Sequence, residues 1–177
     1  LAIADILGST EGGMGQSIMT KDTPATETAK FTLLPVAKVL VPDGSREVVP
    51  GSGEVGMVAQ GGMVPLGYYK DPEKSAKTFK EVDGKRYAFI GDMATVEADG
   101  TINLLGRGSN CINTGGEKVF PEEVEEALKL HADVADALVF GLEDERFGNR
   151  VAGVVSLEQG RSAEAGDILE ATRKLLA

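Results

Sequence analysis

One cysteine and one histidine in 177 residues exclude several chemistries at once. Cys111 alone cannot build an internal disulfide framework, and a lone thiol permits a reducing compartment. With His131 as the only imidazole, a histidine-based metal cluster or a hydrolase triad has little support. Apolar runs are short, none approaching the ~18 residues of a membrane span. Leu1–Leu7 carries neither a basic leader nor a cleavage site, so no signal peptide is expected there. Positive charge is scarce too: 18 Lys and Arg stand against 28 Asp and Glu, for a net charge of −10. That field repels phosphate backbones and anionic lipid heads, which argues against nucleic-acid and membrane-surface roles. Any anionic ligand must be held by local donors against it. The chain opens on Leu within an apolar run and closes on Arg173-Lys174-Leu175-Leu176-Ala177 without Gly, Asn or Pro. Both ends therefore read as cut, and a fragment is expected.

What is present is glycine and turn chemistry. A hydrophobic content of 42% supports a core, and 23 glycines are about twice the ~7% average. The length allows one large domain or two small ones. Leu1–Leu7 reads as a short buried strand, ended by Gly8-Ser9-Thr10-Glu11-Gly12-Gly13, and Thr20–Lys30 as a polar loop. From Phe31 to Leu105 short extended runs (36–41, 47–49, 54–59, 94–97, 102–105) alternate with Asp43-Gly44, Gly51-Ser52-Gly53, Gly61-Gly62 and Asp99-Gly100. Asp-Gly between apolar runs is a strong hairpin signal, and strands at this spacing predict a small barrel or sandwich. One helix interrupts them, with Asp71 as N-cap, Pro72 at its first position and Phe79 on its apolar side.

After Arg107 the pattern becomes a mixed α/β alternation, which places a domain boundary at residues 106–109. A helix over 121–130 starts on Pro121, with Glu122, Glu123, Glu125 and Glu126 at its positive end and Lys129 and His131 at its negative end. Val124, Ala127 and Leu128 share its apolar face. Strands follow at 134–140 and 151–157 around the charged loop 143–149. A second amphipathic helix covers 163–176 with Ile168, Leu169, Thr172, Leu175 and Leu176 on one face.

Two glycine motifs fail their contextual tests. Gly51-x-Gly53-x-x-Gly56 matches a dinucleotide fingerprint in letters, but Met57-Val58-Ala59 continues as a strand where a helix is required. Gly8–Gly13 has phosphate-loop spacing without the Lys-Ser/Thr that must follow.

The run Gly106-Arg107-Gly108-Ser109-Asn110-Cys111-Ile112-Asn113-Thr114-Gly115-Gly116-Glu117-Lys118-Val119-Phe120-Pro121 resembles the hinge between the large and small domains of adenylate-forming enzymes. These are acyl-CoA synthetases, peptide-synthetase adenylation domains and luciferases. Upstream, Leu7-Gly8-Ser9-Thr10-Glu11 is similar to that superfamily's aromatic-Gly-x-Thr-Glu motif, with Leu in place of the aromatic. The block Gly53-Glu54-Val55-Gly56, Gly61-Gly62, Gly67-Tyr68-Tyr69 and Phe79 resembles its core block, where Gly serves turns and Tyr and Phe serve packing. Tyr87-Ala88-Phe89-Ile90-Gly91-Asp92 resembles its ribose motif, with Ile90 in place of Thr. The free-standing bacterial acyl-CoA synthetases, AMP-forming, are the most similar.

What the resemblance implies is an α+β chain. Residues 1–106 would be the distal part of the large domain, including a strand-rich small barrel subdomain. Residues 107–177 would be the small mixed α/β C-terminal domain, truncated before its end. It further implies an ATP-dependent ligase, cytoplasmic, that activates a carboxylic acid (a fatty or steroid side-chain acid) as an adenylate and passes it to CoA. A peptide-synthetase-type adenylation domain and a non-catalytic nucleotide-binding module are the alternatives. ATP, Mg²⁺ and CoA are the cofactors so implied. Thr10 and Glu11 carry the catalytic roles: Gly8 gives the backbone close approach, Thr10 offers a hydroxyl to phosphate and Glu11 is the Mg²⁺ carboxylate. Asp92 would accept from both ribose hydroxyls, with Arg107 as a second contact. Gly115 and Gly116 would line the pantetheine tunnel and Lys118 would face the ligand. The pivot falls at Ser109 or Asn110, residues that suit an irregular backbone but lack the Asp or Lys that family members often carry there. Cys111 and His131 read as structural. The superfamily's phosphate loop would precede Leu1 and its adenylation lysine would follow Ala177, so this chain by itself is not expected to make an adenylate.

Overall fold

The computed structural model describes residues 2–22 and 29–176. Among these, twelve strands and three helices follow one another. The first eight strands are β1 (Ala2–Ser9), β2 (Gly12–Thr20), β3 (Lys30–Leu33), β4 (Ala37–Leu40), β5 (Gly56–Gln60), β6 (Phe79–Val82), β7 (Lys85–Val96) and β8 (Ile102–Arg107), with helix α1 (Pro72–Thr78) before β6. Then come β9 (Ile112–Thr114), β10 (Glu117–Val119), α2 (Pro121–Lys129), β11 (Val134–Asp144), β12 (Gly148–Leu157) and α3 (Ala165–Leu176). The fold is mixed and strand-rich, and it packs as two compact units, Leu1–Leu105 and Gly106–Ala177.

In the first unit eight strands form one sheet in the order β1-β2-β3-β8-β7-β5-β4, with β6 paired to β7. The sheet curls: Met14 of β2, Phe31 of β3, Val39 of β4, Val58 of β5, Ala94 and Val96 of β7 and Ile102 of β8 share one core. The opposite face of β4, β5 and β7 buries Leu40, Ala59, Tyr87 and Phe89. These central strands thus alternate between two apolar faces, which is why their runs are almost continuously hydrophobic. Asp83-Gly84 joins β6 to β7 with both residues at positive φ, 50° and 71°, the geometry of a two-residue hairpin turn. Helix α1 begins as its sequence dictates: the Asp71 side chain accepts from Lys74 N–H at 2.9 Å and Pro72 takes the first position.

Several expectations change. Residues 2–9 do form a strand, but it is not buried: Ile3 and Ile6 are 58% and 64% exposed, because β1 lies at the sheet edge and, among the described residues, pairs only with β2. Strand β2 was not expected at all. The loop read at Thr20–Lys30 falls mostly on residues 23–28, outside the described residues. The run 47–49 is no strand; Glu47 makes only an isolated bridge to Leu40. Phe79 is buried as the first residue of β6, not on the helix. Gly51 and Gly53 sit in a turn at positive φ and Gly56 opens a strand, the context that excludes a dinucleotide site.

In the second unit β9 and β10 form one hairpin, β11 and β12 another. The charged stretch 143–149 is mostly strand, since pairing continues to Asp144↔Gly148. Ile112, Leu128, Val134, Val139 and Ile168 form the core. Of the apolar stripe on α3 only Ile168 and Thr172 are buried. Leu169 instead lines an apolar groove of about 200 Å³ with Val124, Leu128, Val139 and Ala152.

Gly56 is the most tightly enclosed glycine described in the first unit. A Cβ there would lie 2.5 Å from Val48 Cγ2 and 2.7 Å from the Leu40 carbonyl oxygen. Gly56→Ala is expected to cost about 1–3 kcal/mol, read as a lower midpoint in urea or thermal unfolding. An unchanged midpoint would show that β4 can yield at no cost.

Candidate functional site

Thr10 and Glu11 are the two loop residues of the β1–β2 hairpin, flanked by the pair Ser9↔Gly12. Neither takes a positive φ, so the tip is not one of the primed turns whose twist matches a hairpin. The ladder adjusts one step away: the register shifts after Leu7, leaving Met14 of β2 without an opposite residue. This bulge turns the Met14 side chain into the core, where it is fully buried, and the Met14 carbonyl accepts from Leu34 N–H at 2.8 Å. Bulges re-aim side chains in this way beside functional sites.

The Glu11 carboxylate is held on both oxygens. Tyr68 Oη donates to Oε1, and Thr10 Oγ1 donates to Oε2 at 3.0 Å. The Glu11 backbone N–H donates to Ser9 Oγ at 3.1 Å. The Tyr68 hydrogen bond, aided by Ser9 and Thr10 and opposed by partial burial, brings the Glu11 pKa down to about 2. The same bond raises the Tyr68 phenol, as expected of a donor that keeps its proton. Beneath the turn, the carboxamide of Gln60 lies flat against Gly12, where a Cβ would fall 2.6 Å from Nε2. Gly12 is therefore needed for closeness, and Gln60 Oε1 is buried without a partner.

Asp92 sits in the middle of β7, not at a strand end. Between the pairs Met57↔Met93 and Ala59↔Phe89, Ile90, Gly91 and Asp92 all face the single residue Val58. Gly91, at φ 98°, makes this bulge possible. Gly8, Thr10, Glu11 and Asp92 thus belong to the first unit, with the Glu11 turn over β5 and Asp92 on the strand beside it.

Arg107, Gly115, Gly116 and Lys118 belong to the second unit. Arg107 ends β8 with an exposed side chain, and Gly108–Asn110 make a 3₁₀ turn. Gly115 and Gly116, at φ 58° and 93°, form the two-residue turn between Thr114 and Glu117. The Gly115 N–H donates to the Phe147 carbonyl at 3.0 Å, which ties this turn to the tip of the β11–β12 hairpin. A Cβ on Gly116 would meet nothing within 4 Å. Lys118 is exposed on β10 opposite Asn113.

Sequence reasoning missed two contacts. From the sequence, Tyr68 serves packing only. Glu122 had been read as a helix-dipole partner, yet its Oε1 accepts from Asn110 Nδ2 at 3.2 Å. Its Oε2 lies buried without a partner against Gly106, where a Cβ would come within 2.3 Å. Asn110 and Glu122 thus clasp this segment. A carboxylate twelve residues past an Asn, in the first turn of a helix starting on Pro, is too common a pattern to have marked it. Cys111 is half-buried. The His131 N–H caps α2 through the Leu128 carbonyl at 3.1 Å, and its Nδ1 accepts from Asp133 N–H at 3.3 Å. No helix among the described residues is long and apolar enough to cross a membrane.

Residues 123–177 match the AMP-binding enzyme C-terminal domain. Over 99% of its length the chain is 48% identical to a 3-oxocholest-4-en-26-oate–CoA ligase of Rhodococcus rhodochrous, of which it covers 32%. Over 89% of its length it is 54% identical to a medium/long-chain-fatty-acid–CoA/3-oxocholest-4-en-26-oate–CoA ligase of Mycolicibacterium smegmatis, of which it covers 29%. Among solved structures, the amide bond synthetase McbA of Marinactinospora thermotolerans superposes with a TM-score of 0.81 at 26% identity, over 98% of this chain and 35% of that one. The apo form of MatB from Rhodopseudomonas palustris gives 0.75 at 27% identity, over 98% and 34%. The chain thus spans about a third of the length of the relatives it matches.

The Glu11 network sets a pH dependence. Its carboxyl ionises more readily folded than at its ordinary value of 4.5, so the unfolded state binds more protons between the two values and stability rises with pH there. This contribution is complete above about pH 4.5 and is lost as the pH falls toward about 2. Denaturant unfolding measured across that window should show a shallower acid loss for Glu11→Gln than for the unaltered chain. Parallel curves would mean that the Tyr68 bond does not persist in solution.

Proposed function

Since residues 123–177 of this chain belong to the C-terminal domain family of AMP-binding enzymes, we propose that it is part of an AMP-forming acyl-CoA ligase. The observation that carries this reading is the order of motifs over nearly the whole chain. A Thr-Glu hairpin tip, a bulged Gly-Asp, an Arg at the end of β8 and a Gly-Gly turn follow one another. The reaction proceeds in two steps. A substrate carboxylate attacks the α-phosphorus of ATP, forming an acyl-adenylate and releasing pyrophosphate. The CoA thiol then attacks the acyl carbon, forming the thioester and releasing AMP with the proton lost to solvent. The names of the relatives favour a medium- or long-chain fatty acid or a steroid side-chain acid, and CoA as acceptor in place of a carrier protein.

Each proposed site residue has a chemical reason for its part. Gly8 keeps the backbone bare where nucleotide approaches, and the Thr10 hydroxyl, which donates to Glu11 Oε2, would reach phosphate by rotating away from that oxygen. Glu11 stays ionised at any working pH and offers the hard oxygen that Mg²⁺ prefers. No cluster of three metal-ligating side chains occurs among the described residues. That donor set suits a Mg²⁺ that keeps its waters and is held by one carboxylate plus substrate phosphates. A Mg²⁺ held by Glu11 would supply positive charge against the phosphates. Asp92, half-exposed in its bulge, accepts from ribose hydroxyls, and Arg107 supplies a fixed positive fork. Gly115 and Gly116 leave room for the pantetheine arm, and Lys118 faces CoA. Residues 1–106 act as the distal part of the large domain and 107–177 as the small one, pivoting at Ser109 or Asn110.

Two measurements on the full-length enzyme test this. Asp92→Ala removes a charge-assisted contact to ribose, worth about 1.5–3 kcal/mol. It should lower ATP-dependent turnover roughly ten- to a hundred-fold; unchanged ATP–pyrophosphate exchange in a folded variant would take Asp92 out of the site. Gly116→Leu places a side chain in the thiol path while adenylation uses the other domain orientation. ATP–pyrophosphate exchange should then persist while CoA-thioester production collapses. The competing effect is backbone strain, since Gly116 sits at φ 93°. Strain would lower both rates and the melting temperature together, and equal loss in the two assays would reduce Gly116 to a structural turn.

A further inference from the structure

The hydroxyl of Tyr68 reaches Glu11 across 57 residues of sequence, and Tyr68 is itself held from several sides. Its backbone N–H donates to Ser75 Oγ at 2.8 Å, and Ser75 Oγ in turn donates to the Asp71 carbonyl at 2.6 Å. Its ring stands 5.2 Å from that of Phe79, tilted by 43°. The Lys74 ammonium lies 4.4 Å from the ring centroid, drawing electron density from the phenol and strengthening its O–H as a donor. Helix α1, its Asp71 cap and the first residue of β6 thus converge on one tyrosine, and that tyrosine ends on one carboxylate oxygen.

We propose that Tyr68 is a positioning residue for the magnesium nucleotide, holding the Glu11 carboxylate in the one orientation from which it binds the cation. This rests on the reading of Glu11 as the metal carboxylate. A carboxylate offers about four lone-pair sites. Tyr68 uses one on Oε1 and Thr10 one on Oε2, so each oxygen keeps one for a cation or its waters. A free glutamate at a hairpin tip would sample several rotamers and lose that freedom on binding. Here the freedom is already removed when the chain folds. Thr10 cannot do this alone, because it moves with the same two-residue turn as Glu11. Tyr68 is anchored elsewhere in the unit and fixes the turn from outside. Outer-shell partners of metal-binding carboxylates act in this way, and their loss weakens metal affinity by about ten- to a hundred-fold.

The test uses the full-length enzyme and direct binding rather than turnover. Tyr68→Phe keeps the ring on Phe79 and removes only the hydroxyl. ATP affinity is measured by titration calorimetry with excess Mg²⁺ and again in EDTA. Tyr68→Phe is expected to weaken ATP binding about ten- to a hundred-fold in Mg²⁺ while leaving the EDTA value close to that of the unaltered enzyme; the nucleotide-free melting temperature falls only by the loss of the Tyr68–Glu11 bond. Glu11→Gln should weaken the Mg²⁺ value likewise, and adding Tyr68→Phe to it should bring little further loss, as expected for residues acting through one contact. If Glu11→Gln weakens the Mg²⁺ value but Tyr68→Phe does not, the positioning role is wrong and the metal reading stands. If Glu11→Gln leaves it intact, the metal reading fails and takes the Tyr68 role with it. An equal loss for Tyr68→Phe with and without Mg²⁺ would show a packing effect and overturn the proposal.

Discussion

Strand β7 is the element on which the first unit depends. It lies between β8 and β5 and also receives β6, so three neighbours share its backbone. Its early residues Tyr87 and Phe89 fill one face of the sheet, while Ala94 and Val96 fill the other. Ile90 and Ala94 both pack against the larger core, and strict alternation would place Asp92 between them, a carboxylate among Met14, Val58 and Ile102. Taking a carboxylate out of water there would be costly. The bulge at 90–92 resolves the conflict by opposing three residues to Val58 and leaving Asp92 half-exposed. A single glycine at positive φ thus lets one strand serve two cores and still present a carboxylate to solvent.

Local chemistry was legible wherever one residue decides the local backbone. Asp71-Pro72 and Pro121 mark helix starts because capping and the missing proline N–H act within a single turn. The Gly-Gly at 115–116 marks a tight turn because both residues need positive φ. Apolar runs located the strand interiors of β4, β5, β8, β11 and β12, with ends that differ by a few residues. The order Thr10-Glu11, Asp92, Arg107, Gly115-Gly116 was legible as a resemblance.

What escaped notice is set by partners far along the chain. Strand β2 contains Gly12, Gly13 and Gly15, a composition that disfavours strands. It is a strand because pairing with β1 and close approach to β3 require small residues; a Cβ on Gly15 would lie 3.0 Å from the Thr32 carbonyl oxygen. Tyr68 has no local reason to be more than a core aromatic until Glu11 is seen beside it. Asn110 and Glu122 likewise meet only once the β9–β10 hairpin folds the helix start back over the 3₁₀ turn. The cost in that clasp is a buried Glu122 oxygen with no donor.

The exposed position of β1 bears on how these 177 residues, taken by themselves, behave in concentrated solution. Its outer edge offers unpaired N–H and C=O groups along eight residues, and Ile3, Ile6 and Ile18 add a greasy rim to the same ribbon. Such an edge is a template for another copy to add strands in register, the first event of fibrous self-assembly. Asp5 is the one charge on β1, and the opposing influence is largely the net charge of −10, which keeps copies apart. That protection is electrostatic, so it fades as salt shortens the screening length or acid neutralises carboxylates. Self-association and the Glu11 hydrogen-bond network therefore draw on the same hairpin: its tip carries Thr10 and Glu11, and its flank is the exposed edge.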